Sequence, residues 1–125
     1  MQKSMMRAEL RHLSSPDVDL EQFQQDGPFG FLVMALVGPN DGPGDESFDF
    51  MLCTPEWFAS CMDRGIMPGR RNIFVKHYDY SELEDFVRDY CASCQGDGWG
   101  EVALKVARIA HWEFEDYDSR PRGLN

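Results

Sequence analysis

The sequence predicts an α+β fold: an antiparallel sheet of four to five strands with three helices packed mainly on one face. Two observations carry this prediction. Strand-like patterns come first, at 5–13, 29–37 and 46–53, while the longest helical patterns come late, at 81–94 and 99–110. Between them lies Glu46 to Arg64 (ESFDFMLCTPEWFASCMDR), which changes period within a single stretch, from alternating to helical.

In the first segment Met6, Ala8 and Leu10 alternate with Arg7, Glu9 and Arg11, which predicts a half-buried strand with His12 continuing the apolar register. Ser14-Ser15-Pro16-Asp17 breaks it, and 17–28 reads as a polar loop pinned by Leu20 and Phe23. FGFLVMALV at 29–37 is apolar at nearly every position, as in a central strand. GPNDGPG at 38–44 is too rich in glycine and proline for helix or strand interior, and predicts a long hairpin tip, exposed and acidic at its far end. It lacks the Lys and Ser/Thr that follow the glycines of a phosphate-binding loop.

Phe48, Phe50 and Leu52 then fall on one side of a strand, with Ser47, Asp49, Met51 and Cys53 on the other. Thr54 suits a helix N-cap, Pro55 the first helical position and Glu56 the positive end of the dipole. Trp57, Phe58, Cys61 and Met62 follow at helical spacing, ending near Gly65. Met67 to Arg71 is a turn with a basic pair, and NIFVKHY at 72–78 is a further strand. Ser81 and Glu84 form a capping-box pattern ahead of a helix that puts Leu83, Phe86, Val87, Tyr90, Cys91 and Cys94 on one face. Gly96 ends it. Trp99, Val102, Ala103, Val106 and Ala110 form a second face, packed close after the Gly-Asp-Gly break. Trp112 and Phe114 alternate with Glu113 and Glu115 in a short strand or extended tail, and 119–125 read as frayed.

At 125 residues and 42% hydrophobic content the chain reads as one domain, 1–125. No apolar run nears the roughly 20 residues of a membrane span, and the first residues lack the apolar core of a signal peptide, so a cytoplasmic protein is expected. The net charge is −10, from 22 acids against 12 bases, which argues against nucleic acid or an anionic membrane as a direct partner. No Lys or Arg occurs between Arg11 and Arg64, and a second acidic run closes the chain. A solvated surface has this look, and so does a face for a basic protein partner. The candidate partner-binding residues are Asp41, Asp45, Glu46 and Asp49 near the hairpin tip, with Glu113, Glu115, Asp116 and Asp118 near the end; Phe48 or Trp112 is the candidate anchor if exposed.

No catalytic constellation stands out. Cys53, Cys61, Cys91 and Cys94 are not paired in sequence with His12, His77 or His111 and an orienting acid. Cys91 and Cys94 form a C-x-x-C late in a helix, not at the helix start where the dipole activates a thiol. Zinc there would need Cys53, Cys61 or a histidine to complete the set. His77 and Asp79 flank Tyr78, a weak acid–base pattern, and Glu113, Glu115 and Asp116 lack calcium-loop spacing. No catalytic residue, metal or cofactor is therefore assigned.

LSSPDVDLE, FGFLVMALVGP, ESFDFMLCTPEWF, NIFVKHYDYSELEDF, the C-x-x-C ahead of Trp99, and HWEFEDY occur in an order that resembles the immunity protein 8 family of bacterial polymorphic toxin systems, from about Ala8 to Tyr117. The resemblance implies a small cytoplasmic, non-enzymatic protein that binds a cognate toxin and neutralises it stoichiometrically. An acidic chain suits a basic, nuclease-like toxin. Two readings of other classes stay open: a thiol- or zinc-dependent enzyme or sensor using Cys91 and Cys94, and an acidic nucleic-acid mimic that blocks a nucleic-acid-binding protein.

Overall fold

The computed structural model describes residues 5–115. Its elements run β1 (Met6–Ser14), β2 (Gly30–Pro39), β3 (Glu46–Cys53), α1 (Pro55–Ser60), β4 (Asn72–Phe74), α2 (Tyr80–Ser93), β5 (Gln95–Gly96), α3 (Trp99–Val106) and β6 (His111–Trp112). The strands form one sheet in the order β4-β3-β2-β1-β5, with β6 also beside β3. The α+β class is as the sequence predicts, with three helices among the described residues. Among the described residues, however, the sheet has six strands and is mixed: β3 and β4 pair in parallel, Met51 opposite Asn72 and Cys53 opposite Phe74. The chain has to leave the end of β3 through α1 and a long turn, so it re-enters beside β3 in the same direction.

The core lies between the sheet and α2 with α3. Phe31, Val33, Ala35 and Val37 of β2 and Phe48, Phe50 and Leu52 of β3 are buried, facing Leu83, Val87, Cys91, Val102 and Val106. In β1 the register shifts between Leu10 and His12, so Arg11 is an extra residue in the ladder. Ala8 and Leu10 point inward before the shift and Leu13 after it, while His12 is exposed. The expected inward His12 is thereby corrected: the bulge moves the alternation by one residue.

Thr54 caps α1 as its residue type predicts. Its Oγ1 accepts from Trp57 N at 3.3 Å and from Phe29 N at 3.2 Å. The helix nevertheless stops at Ser60, buries no residue and leaves Cys61 exposed. Its two aromatics find partners individually. Trp57 lies on Gly30, where a Cβ would sit 2.4 Å from the indole. Phe58 meets Phe74 edge-on, with centroids 5.3 Å apart. Ser60 Oγ donates back to Trp57 O at 2.7 Å, a local bond that competes with continued helix.

α2 starts two residues earlier than the capping box implies. Asp79 Oδ1 accepts from Glu82 N at 3.0 Å, while Glu84 takes the Tyr80 hydroxyl at 3.2 Å. Asp79 wins because an ionised carboxylate is the stronger acceptor for a helix-end N–H. The expected strand over 72–78 is trimmed to three residues, and Tyr78 instead closes an aromatic cluster with Phe23, Phe29 and Phe31. Its hydroxyl donates to Leu20 O, and burial, followed by nearby Tyr80 and Asp79, pushes its pKa up to about 12. Leu20 and Phe23 thus pin the 17–28 loop as expected.

A candidate partner-binding surface

Between β2 and β3 the hairpin tip is folded back and fastened. Arg7 and Asn40 exchange two bonds: Arg7 N donates to Asn40 Oδ1, and Asn40 N to Arg7 O, both at 2.9 Å. The bulged Arg11 reaches the same loop, and its Nη2 donates to Pro39 O at 2.7 Å and Gly42 O at 2.8 Å. Gly44 has φ +94, a left-handed conformation that glycine adopts without penalty. Its carbonyl oxygen lies 2.0 Å from where a Cβ on Gly38 would stand. Gly38→Ala is therefore expected to lose about 1–3 kcal/mol through forced displacement of the tip backbone. Urea unfolding measures this, and a loss below a few tenths would show that the tip is slack. Asp41 and Asp45 sit exposed on this loop, and neither side chain has a hydrogen bond or ion pair among the described residues.

Glu46, at the base of the tip, is differently placed. Its Oε1 accepts from Trp99 Nε1 at 2.7 Å and Trp112 Nε1 at 2.8 Å. Phe48 lies between the same two indoles, stacked with Trp112 at 6.1 Å and edge-on to Trp99 at 6.3 Å. One carboxylate and one ring thus join β3, α3 and β6. Phe48 is completely buried and is no anchor for a partner, while Trp112 is half-buried with its N–H engaged. Sequence reading missed the clasp, although a half-buried indole needs an acceptor and Glu46 opens the strand that Trp112 pairs with.

The two acidic segments meet at this end of the sheet. Ser47 N donates to Glu113 Oε1 at 2.8 Å, and Glu113 N donates to Ser47 O at 3.2 Å. Asp49 Oδ1 accepts from Ser47 Oγ at 2.9 Å. Glu115, with its side chain 10% exposed, takes both Arg70 and Arg71. Arg71 itself holds φ +70, in a turn where Asn72 Nδ2 donates to Gly69 O and Arg70 O. Asp116 and Asp118 lie outside the described residues.

Burial pushes the Glu115 carboxyl up, but the hydrogen bond and charge of Arg71, then Arg70, bring it below the usual range. A depressed carboxylate contributes stability above its unfolded pKa, roughly 4.3, and loses it as pH falls through the lower folded value. Glu115→Gln is accordingly expected to flatten part of the acid limb of a stability-versus-pH curve. A limb of unchanged slope would mean that the Arg70–Arg71–Glu115 cluster is not coupled to folding.

The thiols are placed for packing. Cys91 and Cys94 are buried; burial pushes Cys91 up to about 12 and raises Cys94, whose Sγ donates to Tyr90 O at 3.3 Å. All four cysteines are free. Asp79 is occupied as the α2 cap beside His77. Among the described residues no group of three or more His, Cys, Asp or Glu is placed to hold a metal ion, and no helix is long and apolar enough to cross a membrane.

A family model described as immunity protein 8 matches residues 8–117. The chain belongs to the immunity protein 8 family. The match spans β1 to β6 and so includes the hairpin tip and the Glu46 clasp. Membership implies an immunity protein of toxin systems, with a cognate toxin as partner. Comparisons with curated proteins and with solved structures give no match. For this immunity protein 8 member, the fastened tip and the Glu46 clasp are therefore read from its own structure.

Proposed function

We propose that this chain neutralises its cognate toxin by stoichiometric binding, as a non-enzymatic inhibitor in the cytoplasm. The membership across residues 8–117 carries this reading. The tip supports it. Asp41 and Asp45 stand on a loop already held by Arg7, Arg11 and Asn40, so a partner would not bear the cost of ordering it. With a net charge of −10, the chain favours a basic partner, and a nuclease-like toxin has that chemistry.

Six of the eight candidate acids fall within the described residues, and their hydrogen bonding supports two roles. Asp41 and Asp45 present charge outward, whereas the exposed Glu113 also accepts from Ser47 N at 2.8 Å. Glu46, Asp49 and Glu115 have internal partners and serve chiefly to hold the surface in shape. The buried, weakly acidic thiols of Cys91 and Cys94 do not favour the thiol-enzyme reading.

Co-expression with the toxin encoded beside it should restore growth, and the two proteins should co-purify at one to one. Growth arrest despite soluble expression, with no co-purification, would remove the proposal.

A further inference from the structure

At the other end of β3 from the acidic tip, an open groove of about 490 Å³ runs between β4 and α2. Leu52, Ile73, Leu83 and Ile109 form its floor. Two aromatic side chains line it while staying half in solvent, Phe74 at 49% and Phe86 at 47% exposure. Aromatics that remain outside a core with room to bury them are what a docking surface presents. Asp79 and Glu82 supply its carboxylates, and among the described residues no Lys or Arg lines it. Asp85 and Asp89 are also exposed on α2, within two turns of Glu82, whereas Lys76 is the one Lys or Arg on the segment joining β4 to α2, where His77 also lines the groove. β4 is moreover the last strand of the sheet order among the described residues.

We infer that this groove docks a basic amphipathic segment of a protein partner: an apolar side chain seats between Phe74 and Phe86, and flanking Lys or Arg side chains meet Asp79, Glu82 and Asp85. Burial of the apolar residue supplies affinity, and the carboxylates select the sign of the flanking charge. The inference rests on the toxin-binding reading only for the source of that segment. Leu52 lies six residues along β3 from Glu46, roughly 20 Å at strand rise, so groove and tip can be altered independently.

A synthetic Lys/Leu peptide of helical period, titrated into the full ¹⁵N-labelled chain, tests the groove without the toxin. A Glu/Leu peptide of the same pattern and a Lys/Ser peptide of the same charge serve as controls. The expected result is amide shifts confined to Ile73, Phe74, Val75, Glu82 and Phe86 with the Lys/Leu peptide alone, and about tenfold weaker binding to Phe86→Glu. Phe86 is half exposed, so this variant should keep the wild-type melting curve; Glu82→Lys provides a second variant acting through charge.

Shifts located elsewhere, an equal response to the Lys/Ser peptide, or unchanged affinity in both variants would overturn the inference. So would a concentration-dependent dimer abolished by Phe86→Glu, which would assign the groove to a second copy of the chain. Failure to protect against the toxin, with peptide binding intact, would remove the proposed function and leave the groove standing.

Discussion

Glu46→Ala is expected to cost about 3 kcal/mol of folding stability, roughly 10 °C in melting temperature for a domain of this size. The carboxylate takes two indole N–H groups on a single oxygen, from Trp99 on α3 and Trp112 on β6. Each is a charge-assisted bond in a partly buried site, and its loss strands a donor as well as removing an attraction. Phe48 is held between the same two rings, so a loosened indole also loses aromatic contact. Glu46→Gln keeps an acceptor oxygen in place and should recover a substantial part of the loss. Tryptophan fluorescence during urea unfolding measures both. A Glu46→Ala loss well under 1 kcal/mol would show that ring packing, not the carboxylate, fastens β6 to the sheet. The same variant should weaken toxin binding less than it weakens the fold, because Glu46 is engaged inward.

Reversal of Asp41 and Asp45 to Lys makes the opposite prediction: little change in stability, and a fall of about ten- to a hundredfold in the toxin association rate at low salt. Both side chains are exposed and have no partner among the described residues, so nothing in the fold depends on their charge. Long-range steering is screened over about 10 Å at 0.1 M salt, so the difference between variant and wild type should shrink as salt rises. Reversal of Glu56 and Asp63 is the control, since it changes net charge equally at exposed positions away from the tip. Stopped-flow association over a salt series separates the cases. Equal slowing by both pairs would mean that overall charge acts and the tip is not the contact.

Much of the architecture follows from local pattern. Phe48, Phe50 and Leu52 alternate, and all three are buried. Thr54 and Pro55 mark a helix start, and one begins there. Leu83, Val87, Cys91 and Cys94 lie at helical spacing and face the core together. These features are legible because the periods of strand and helix are properties of the backbone, independent of what the chain packs against. The misreadings occur where two local signals compete. Ser81 and Asp79 both suit a cap, and the ionised acceptor takes it. His12 and Leu13 both suit the inward position, and the bulge at Arg11 selects Leu13.

The candidate surface was legible in composition and not in role. Sequence marked eight acids and put Asp45, Glu46 and Asp49 first, yet Glu46 is engaged inward, because charge in one dimension does not reveal which carboxylates have found donors. Only the tertiary structure brings Glu113 beside Ser47 and two indoles onto Glu46, contacts separated by more than fifty residues along the chain. It also decides that Phe74 and Phe86 line one groove. By itself the sequence determined the α+β class, the net charge, most element positions and the family resemblance. Which acids face outward was settled by long-range pairing across β3, since a hydrogen bond between distant residues depends on sheet register, and register is fixed only when the strands meet.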